Sequence, residues 1–191
     1  MSTTRKPIIL ASASPRRAEL LRKMGYRFDV VPPDVDERVR ERADPADEAV
    51  RLATAKAHEV AARVEPAIII AADTVVALGQ EIVGKPRNRR HAKEMLGRLS
   101  GTRHHVITGL CVLDTRTGRR VADRVSTAVT MTPMTEAQIG EYVQSGEADG
   151  KAGAYAIQET ADRYVEKVEG SFTNVVGLPI ERLREILDAL P

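Results

Sequence analysis

The most apolar stretch of the chain covers residues 67–78 and contains one ionisable residue, Asp73. A run of this length, followed by the turn residues Gly79 and Gln80, is typical of a central β-strand that continues into a hairpin. Burying an unpaired carboxylate in such a strand would be costly. We therefore expect a cation beside Asp73, either a metal ion or a basic side chain.

A second constraint is the segment of residues 12–17, which lies between a short apolar run and a helical pattern. With Pro15 as the first helical residue, Ser14 becomes the N-cap, and Arg16 and Arg17 fall in the first turn, where the helix dipole is already positive. Backbone N–H groups, a hydroxyl and two guanidinium groups are typical phosphate ligands. The pattern predicts either a phosphate site or, alternatively, an ordinary capped helix with two solvated arginines.

Strand and helix patterns alternate along the rest of the chain. Strands are predicted at residues 8–11, 26–31, 67–78, 81–83, 106–113, 119–131 and 164–168, and helices begin at Pro15, at Pro45, before Ala92, at Thr135 and near Pro179. Residues 106–131 should add antiparallel strands to the sheet. A chain of 191 residues is long enough for one well-buried core, so we expect one α/β domain over residues 1–191.

Composition and motifs exclude several classes of protein. The sequence has 29 basic and 27 acidic residues, too even a balance for a general nucleic-acid binder. It shows no apolar run long enough for a membrane span, no secretory signal, and only one cysteine, Cys111. His104 and His105 would point to opposite faces of a strand and cannot share a metal ion, so we interpret both as structural. We expect a cytoplasmic protein without nucleic-acid or membrane partners, and a homodimer is left open.

Other charged residues could complete an anion site. Magnesium ions typically use one or two carboxylates together with substrate phosphates, which matches Asp73 with Glu37. Lys56, on the apolar stripe of its predicted helix, and Lys85 could neutralise a triphosphate, or they could simply be solvated. The chain contains no G-x-x-x-x-G-K-S/T loop, which argues against a kinase or GTPase.

Six motifs follow one another along the chain: Leu-Ala-Ser-Ala-Ser-Pro-Arg-Arg at 10–17, Ala-Asp-Thr at 72–74, Gly-Lys-Pro at 84–86, Leu-Ser-Gly at 99–101, Lys-Ala-Gly-Ala-Tyr-Ala-Ile-Gln at 151–158 and Gly-Ser-Phe-Thr-Asn-Val-Val-Gly-Leu-Pro at 170–179. Together they resemble the Maf family of nucleotide pyrophosphatases over essentially the whole sequence. The resemblance implies cleavage of a nucleoside triphosphate between its α and β phosphates, with Mg²⁺ or Mn²⁺ as cofactor. It also implies an α/β fold of the Maf and ITPase type, with a mixed central sheet, helices on both sides and two lobes flanking a cleft.

The same resemblance implies roles for individual residues. Asp73 would be the proton acceptor and would hold the metal ion with Glu37, although the sequence leaves open whether it is a general base or a metal ligand. The residues that would bind the phosphates are Ser12, Ser14, Arg16, Arg17, Lys56 and Lys85. Arg16, Thr74 and Gln158 match positions linked to substrate choice, and the Gln158 amide offers a donor and an acceptor to a uracil or thymine edge.

The Lys-Ala-Gly-Ala-Tyr and Ile-Gln pattern within residues 151–158 resembles the branch of the family that acts on dTTP and UTP. This resemblance implies a role in removing these nucleotides, or modified pyrimidine nucleotides, from the nucleotide pool. Ala156 departs from this branch, which usually has glycine there, and the added methyl could shift the backbone or narrow the base pocket. The alternatives are a 7-methyl-GTP-type pyrophosphatase and a nucleotide-sensing regulator of cell division without turnover.

Overall fold

The computed structural model describes residues 7–40, 42–157 and 160–190. Within these ranges seven strands form one sheet: β1 (Ile8–Ala11), β2 (Asp29–Val30), β3 (Ile68–Leu78), β4 (Glu81–Val83), β5 (Arg103–Asp114), β6 (Arg119–Met131) and β7 (Val165–Glu169). The strand order is β2-β1-β3-β5-β6-β7, and β4 pairs with β3. β1 runs parallel to β2 and β3, whereas the remaining pairs are antiparallel. The predicted mixed α/β sheet and its antiparallel addition are confirmed.

Helices in the described ranges are α1 (Pro15–Lys23), α2 (Pro45–Ala61), α3 (Arg89–Leu99), α4 (Glu136–Gln144), α5 (Phe172–Val176) and α6 (Ile180–Asp188). Their starts follow from local capping chemistry. Ser14, Asp44 and Thr135 each accept a hydrogen bond from a backbone N–H of the first turn, which satisfies a donor that the helix itself leaves free. Gly25 follows α1 with a φ of 80°, as predicted. No helix in the described part of the chain is both long and apolar enough to cross a membrane.

Both faces of the sheet are covered. Helix α2 packs against one face through buried residues such as Ala53 and Val60, which contact Ile69 and the fully buried Cys111. Helices α1 and α6 cover the opposite face of β1, β3 and β5. A further apolar cluster, centred on α3 and α4, surrounds Val76 near the end of β3. The apolar character of β3 on both faces therefore reflects burial from two sides.

One edge of β3 is interrupted. Along this edge β3 pairs with β1 over residues 68–71 and with β4 over residues 76–78. Between them, residues 72–75 have no partner strand on this edge in the described part of the chain. The other edge pairs without a break with β5, from Ile68 to Ala77. The interruption separates the part of the fold around β1, α1 and α6 from the part around α3 and α4, and a cleft opens there.

Several strand boundaries differ from the predictions. The strand expected over residues 26–31 is confined to Asp29–Val30, because it is an edge strand and two prolines, which cannot donate ladder hydrogen bonds, follow at 32 and 33. Strand β5 begins at Arg103 rather than at residue 106, and β7 begins at Val165. The short helix α5 was not predicted, because five residues are too few to show a helical period.

Candidate active site

The cleft at the interruption of β3 has a volume of about 480 Å³. Most residues that the sequence predicted for the site line it: Ser12, Ser14, Arg16, Arg17, Glu37, Lys56, Asp73, Thr74 and Lys85. Gln158 lies outside the described residues, although its neighbour Ile157 lines the cleft. Two further charged residues line the cleft: Asp149, which has no distinctive sequence pattern, and Lys151, which begins the 151–158 motif but had no role of its own in the predicted site.

Asp73 and three other charged side chains form a continuous chain of ion pairs. The Lys56 Nζ lies 2.6 Å from Asp73 Oδ1 and 2.6 Å from Glu37 Oε1. The Lys85 Nζ lies 2.5 Å from Glu37 Oε2. The Lys56 side chain is only 5% exposed, so its charge is compensated by carboxylates rather than by water. Lys56 thus supplies the cation that the sequence predicted beside Asp73.

The same contacts set the ionisation of Glu37. Partial burial works to raise the pKa of Glu37, but hydrogen bonds from Lys56 and Lys85 outweigh it and lower the pKa to about 2. Glu37 is therefore ionised at neutral pH. The charges of the two carboxylates and the two ammonium groups in this series of ion pairs cancel. A triphosphate therefore needs positive charge from other residues.

A close approach of α2 to the sheet brings Lys56 to Asp73. Gly109 of β5 lies opposite Asp73 in the strand register. A Cβ at Gly109 would lie 2.3 Å from the carbonyl carbon of Ala49 in α2, a distance that real Cβ atoms do not show. Only glycine permits this separation between helix and sheet, and Lys56 lies two turns further along the same helix.

The loop that carries Glu37 is attached to α2 by a buried carboxylate. Glu48 accepts hydrogen bonds from Arg40 N at 3.1 Å, from Arg40 Nε at 2.9 Å and from Arg51 Nη2 at 2.6 Å. Arg51 also donates to the carbonyl of Arg38, the residue after Glu37. The hydrogen bonds from Arg51, opposed by burial and supported by those from Arg40, lower the pKa of Glu48 to about 2. Glu48 lies in the first turn of α2, where a carboxylate is favourable in any helix, and only its position among the buried residues of α2 distinguishes it.

Arg17 and Thr74 meet on the opposite side of β3. Adjacent strand residues point to opposite faces, so Thr74 faces away from Lys56. Arg17 donates to Thr74 Oγ1 at 3.1 Å, to Ser12 Oγ at 3.4 Å and to the carbonyl of Gly177 at 2.8 Å. Burial lowers the pKa of Arg17, and the carboxylates of Asp73 and Glu37 act in the opposite direction.

His104 and Ala156 lie close to the cleft wall. His104 is fully buried, and its Nε2 lies 2.8 Å from the hydroxyl of Tyr155, a residue that lines the cleft. Burial, with a smaller effect from His105, lowers the pKa of His104 to about 4. Ala156 does not adopt a left-handed backbone, and its side chain is not part of the cleft lining. The alanine therefore fits this backbone without strain.

Asp73 and Glu37 are the two carboxylates of the cleft that lie close together. The described residues include no group of three or more Asp, Glu, His or Cys side chains that could hold a metal by themselves. Each of the two carboxylates places an oxygen 2.6 Å from the same Lys56 ammonium, which occupies the position on which they converge. Magnesium ions combine such carboxylates with phosphate oxygens and water.

Fold and site together define an α/β protein with a charged cleft at a break in its central sheet, whose described lining has five basic and three acidic side chains. The family model described as Maf-like protein matches residues 7–190, and the chain belongs to the Maf family. It is 48% identical over 185 residues to the dTTP/UTP pyrophosphatase of Syntrophotalea carbinolica, covering 96% of this chain and 84% of that protein. It is 48% identical over 181 residues to the dTTP/UTP pyrophosphatase of Alkaliphilus metalliredigens, covering 94% of both. Among solved structures, the Staphylococcus aureus Ham1 protein is similar with a TM-score of 0.46 at 16% identity, covering 66% of this chain and 72% of that one.

Proposed function

We propose that this protein hydrolyses dTTP and UTP to the monophosphate and pyrophosphate, and so removes these nucleotides or modified pyrimidine nucleotides from the pool. Family membership supports this, as does 48% identity to two relatives named dTTP/UTP pyrophosphatase. The observation that carries the proposal is the position of Asp73. Its carboxylate lies in the middle of the sheet, lines the cleft and forms an ion pair with Lys56. A single domain over residues 1–191 and a cytoplasmic location stay predictions, and a homodimer stays open.

In the proposed reaction, Arg16, Lys56 and Lys85 bind the triphosphate, with the hydroxyls of Ser12 and Ser14 at the start of α1. These cations offset the charge of the substrate and hold the α-phosphorus in place for attack. The position of α1 supports this role, because Ser14 and the first-turn residues Arg16 and Arg17 line the cleft.

Asp73 takes the proton of the attacking water. The Lys56 ammonium lies 2.6 Å from Oδ1 of Asp73, and we assign Oδ2 as the acceptor. The water oxygen forms a bond to the α-phosphorus, the bond from that phosphorus to the α,β-bridging oxygen breaks, and pyrophosphate leaves with the bonding electrons. A divalent ion held by Asp73 and Glu37 would supply a Lewis acid that polarises the α-phosphoryl group.

Base selection is assigned to Arg16, Thr74 and Gln158. The Thr74 hydroxyl is held between Arg17 and Thr108, at 3.1 and 2.9 Å, and so has a fixed orientation at the cleft. A side-chain amide at 158 can pair with both a donor and an acceptor of a pyrimidine edge, and a mismatched base would leave those groups unpaired.

The test is a panel of nucleoside triphosphates, including 7-methyl-GTP, incubated with Mg²⁺ or Mn²⁺ and assayed for pyrophosphate and orthophosphate separately. We expect pyrophosphate from dTTP and UTP, and little activity in Asp73→Asn. Asp123→Asn is the matched control, because Asp123 lies on β6 outside the cleft lining. Orthophosphate as the first product, or full activity of Asp73→Asn, would contradict the mechanism, and unchanged triphosphate would favour a nucleotide-sensing regulator.

A further inference from the structure

The two adjacent arginines of residues 12–17 have different surroundings. Arg16 lines the cleft, is half-buried, and makes no hydrogen bond or ion pair with any described residue. Arg17 uses three N–H groups, one on each guanidinium nitrogen, in hydrogen bonds to oxygens of the protein. The sequence alone assigned a phosphate-binding role to both and gave Arg16 a further role in substrate choice, so it did not predict that Arg17 is held by the protein itself.

The acceptors of Arg17 belong to three separate segments. Ser12 precedes α1, Thr74 lies in the part of β3 that has a partner strand on one edge only, and Gly177 is the C-cap of α5. All three acceptors are neutral and all three residues line the cleft. A guanidinium group presents its donors in a rigid plane, so one side chain fixes the relative positions of three wall segments.

The contacts continue behind Thr74. The hydroxyl of Thr74 lies 2.9 Å from that of Thr108, which donates to the carbonyl of Asn174 at 3.1 Å. The amide of the fully buried Asn174 donates to Val106 O at 2.9 Å. Arg17 is therefore one end of a polar network that joins α1, β3, β5 and α5.

We propose that Arg17 is a positioning residue, which aligns Ser12, Thr74 and Gly177 around the cleft, whereas Arg16 is the arginine that binds phosphate. This inference rests on the proposed function. It follows from a difference in available donors, since three N–H groups of Arg17 donate to neutral acceptors, whereas the Arg16 side chain has no hydrogen-bond partner among the described residues.

The test compares Arg16→Ala, Arg16→Lys, Arg17→Ala and Arg17→Lys in dTTP hydrolysis at increasing salt. Loss of Arg16 should raise KM by about 10-fold or more and reduce the dependence of kcat/KM on ionic strength, because an ion contact to substrate is lost. Arg16→Lys should recover most of the activity. Both Arg17 variants should lower kcat by about 10- to 100-fold and keep the salt dependence of the parent, because misplaced groups lose rate and lysine cannot reach three acceptors.

Two results together would overturn the proposal. Arg17→Lys would recover as much activity as Arg16→Lys, and kcat/KM of Arg17→Ala would depend less on ionic strength than that of the parent. Should Arg17→Ala fail to fold, Thr74→Val keeps the charge and removes one acceptor. It should lower kcat with the parental salt dependence, and parental kcat and KM in that variant would also overturn the proposal.

Binding of inorganic triphosphate, measured by calorimetry, separates this inference from the proposed function. A parent protein that binds inorganic triphosphate but releases no pyrophosphate from dTTP would contradict the function only. The assignment of the arginines would then be decided by binding, which should be lost in Arg16→Ala and retained in Thr74→Val. The opposite pattern would overturn the assignment.

Discussion

Replacing Gly109 by alanine tests how the separation between α2 and the sheet controls the site. The new methyl would lie 2.3 Å from the carbonyl carbon and oxygen of Ala49 and 2.4 Å from the nitrogen of Val50. These are backbone atoms in a helix, so no side chain can rotate away. To reach an ordinary contact of about 3.5 Å, α2 must retreat from β5 by about 1 Å.

That retreat has two measurable consequences. Overpacking against backbone should cost about 3 kcal/mol, which for a chain of this size lowers Tm by roughly 6–12 °C. Lys56 moves with α2, and its 2.6 Å contact to Asp73 on β3 lengthens by a similar distance. A displacement of about 1 Å in the site should reduce kcat for dTTP about 100-fold.

Thermal unfolding and pyrophosphate release would be measured on Gly109→Ala beside Gly97→Ala. Gly97 is an exposed residue inside α3, and a Cβ there meets no atom within 4 Å. The same substitution should therefore stabilise the control by about 0.5–1 kcal/mol, through helix propensity alone, with parental kcat. A Gly109→Ala protein with parental Tm and kcat would refute the link between helix separation and activity.

Three further predictions concern single residues. Glu48→Gln should lower the free energy of unfolding by roughly 3 kcal/mol at neutral pH, since the pKa of Glu48 is about 2 instead of 4.5. Urea unfolding of the parent and the variant should converge as pH falls from 4.5 to about 2, and a pH-independent difference would contradict the role of Arg51. The lowered pKa of His104 means that folding favours its neutral form, so the parent should lose stability as pH falls from 6.5 through about 4. His104→Phe, which leaves Tyr155 without that partner, should flatten this part of the curve of unfolding midpoint against pH, and an unaltered curve would exclude His104 as the cause. Ala156→Gly should leave the ratio of kcat/KM for dTTP and UTP unchanged, and an altered ratio would show that the methyl reaches the base.

Features encoded by neighbouring residues could be predicted from the sequence. Ser14 and Pro15 define the start of α1, Ser14 through its hydroxyl and Pro15 through its fixed φ. Thr135 and Gln138 define the start of α4 through a capping box. The apolar run of residues 67–78 identified the central strand, and Asp73 within it identified the site. Each of these signals needs only a few residues of context.

Contacts between distant segments could not be predicted. Arg17 and Gly177 are 160 residues apart, so nothing near Arg17 indicates that its donors are already used. The distance between α2 and the sheet depends on Gly109, which lies in β5. The same distance decides whether Lys56 can contact Asp73. Glu48 looks like a favourable first-turn carboxylate until the loop around Arg40 folds back onto it. These outcomes depend on tertiary packing, which periodicity does not encode.

The polar residues of β3 also determine how this strand is aligned. Because β3 is buried and apolar on both faces, its hydrophobic pattern alone would tolerate a shift by one residue. Such a slip would exchange the faces of Asp73 and Thr74, which would separate the carboxylate from Lys56 and leave the buried Lys56 ammonium beside a hydroxyl. Asp73 and Thr74 therefore specify the register of β3. We expect a one-residue insertion before Asp73 to impair folding as well as catalysis.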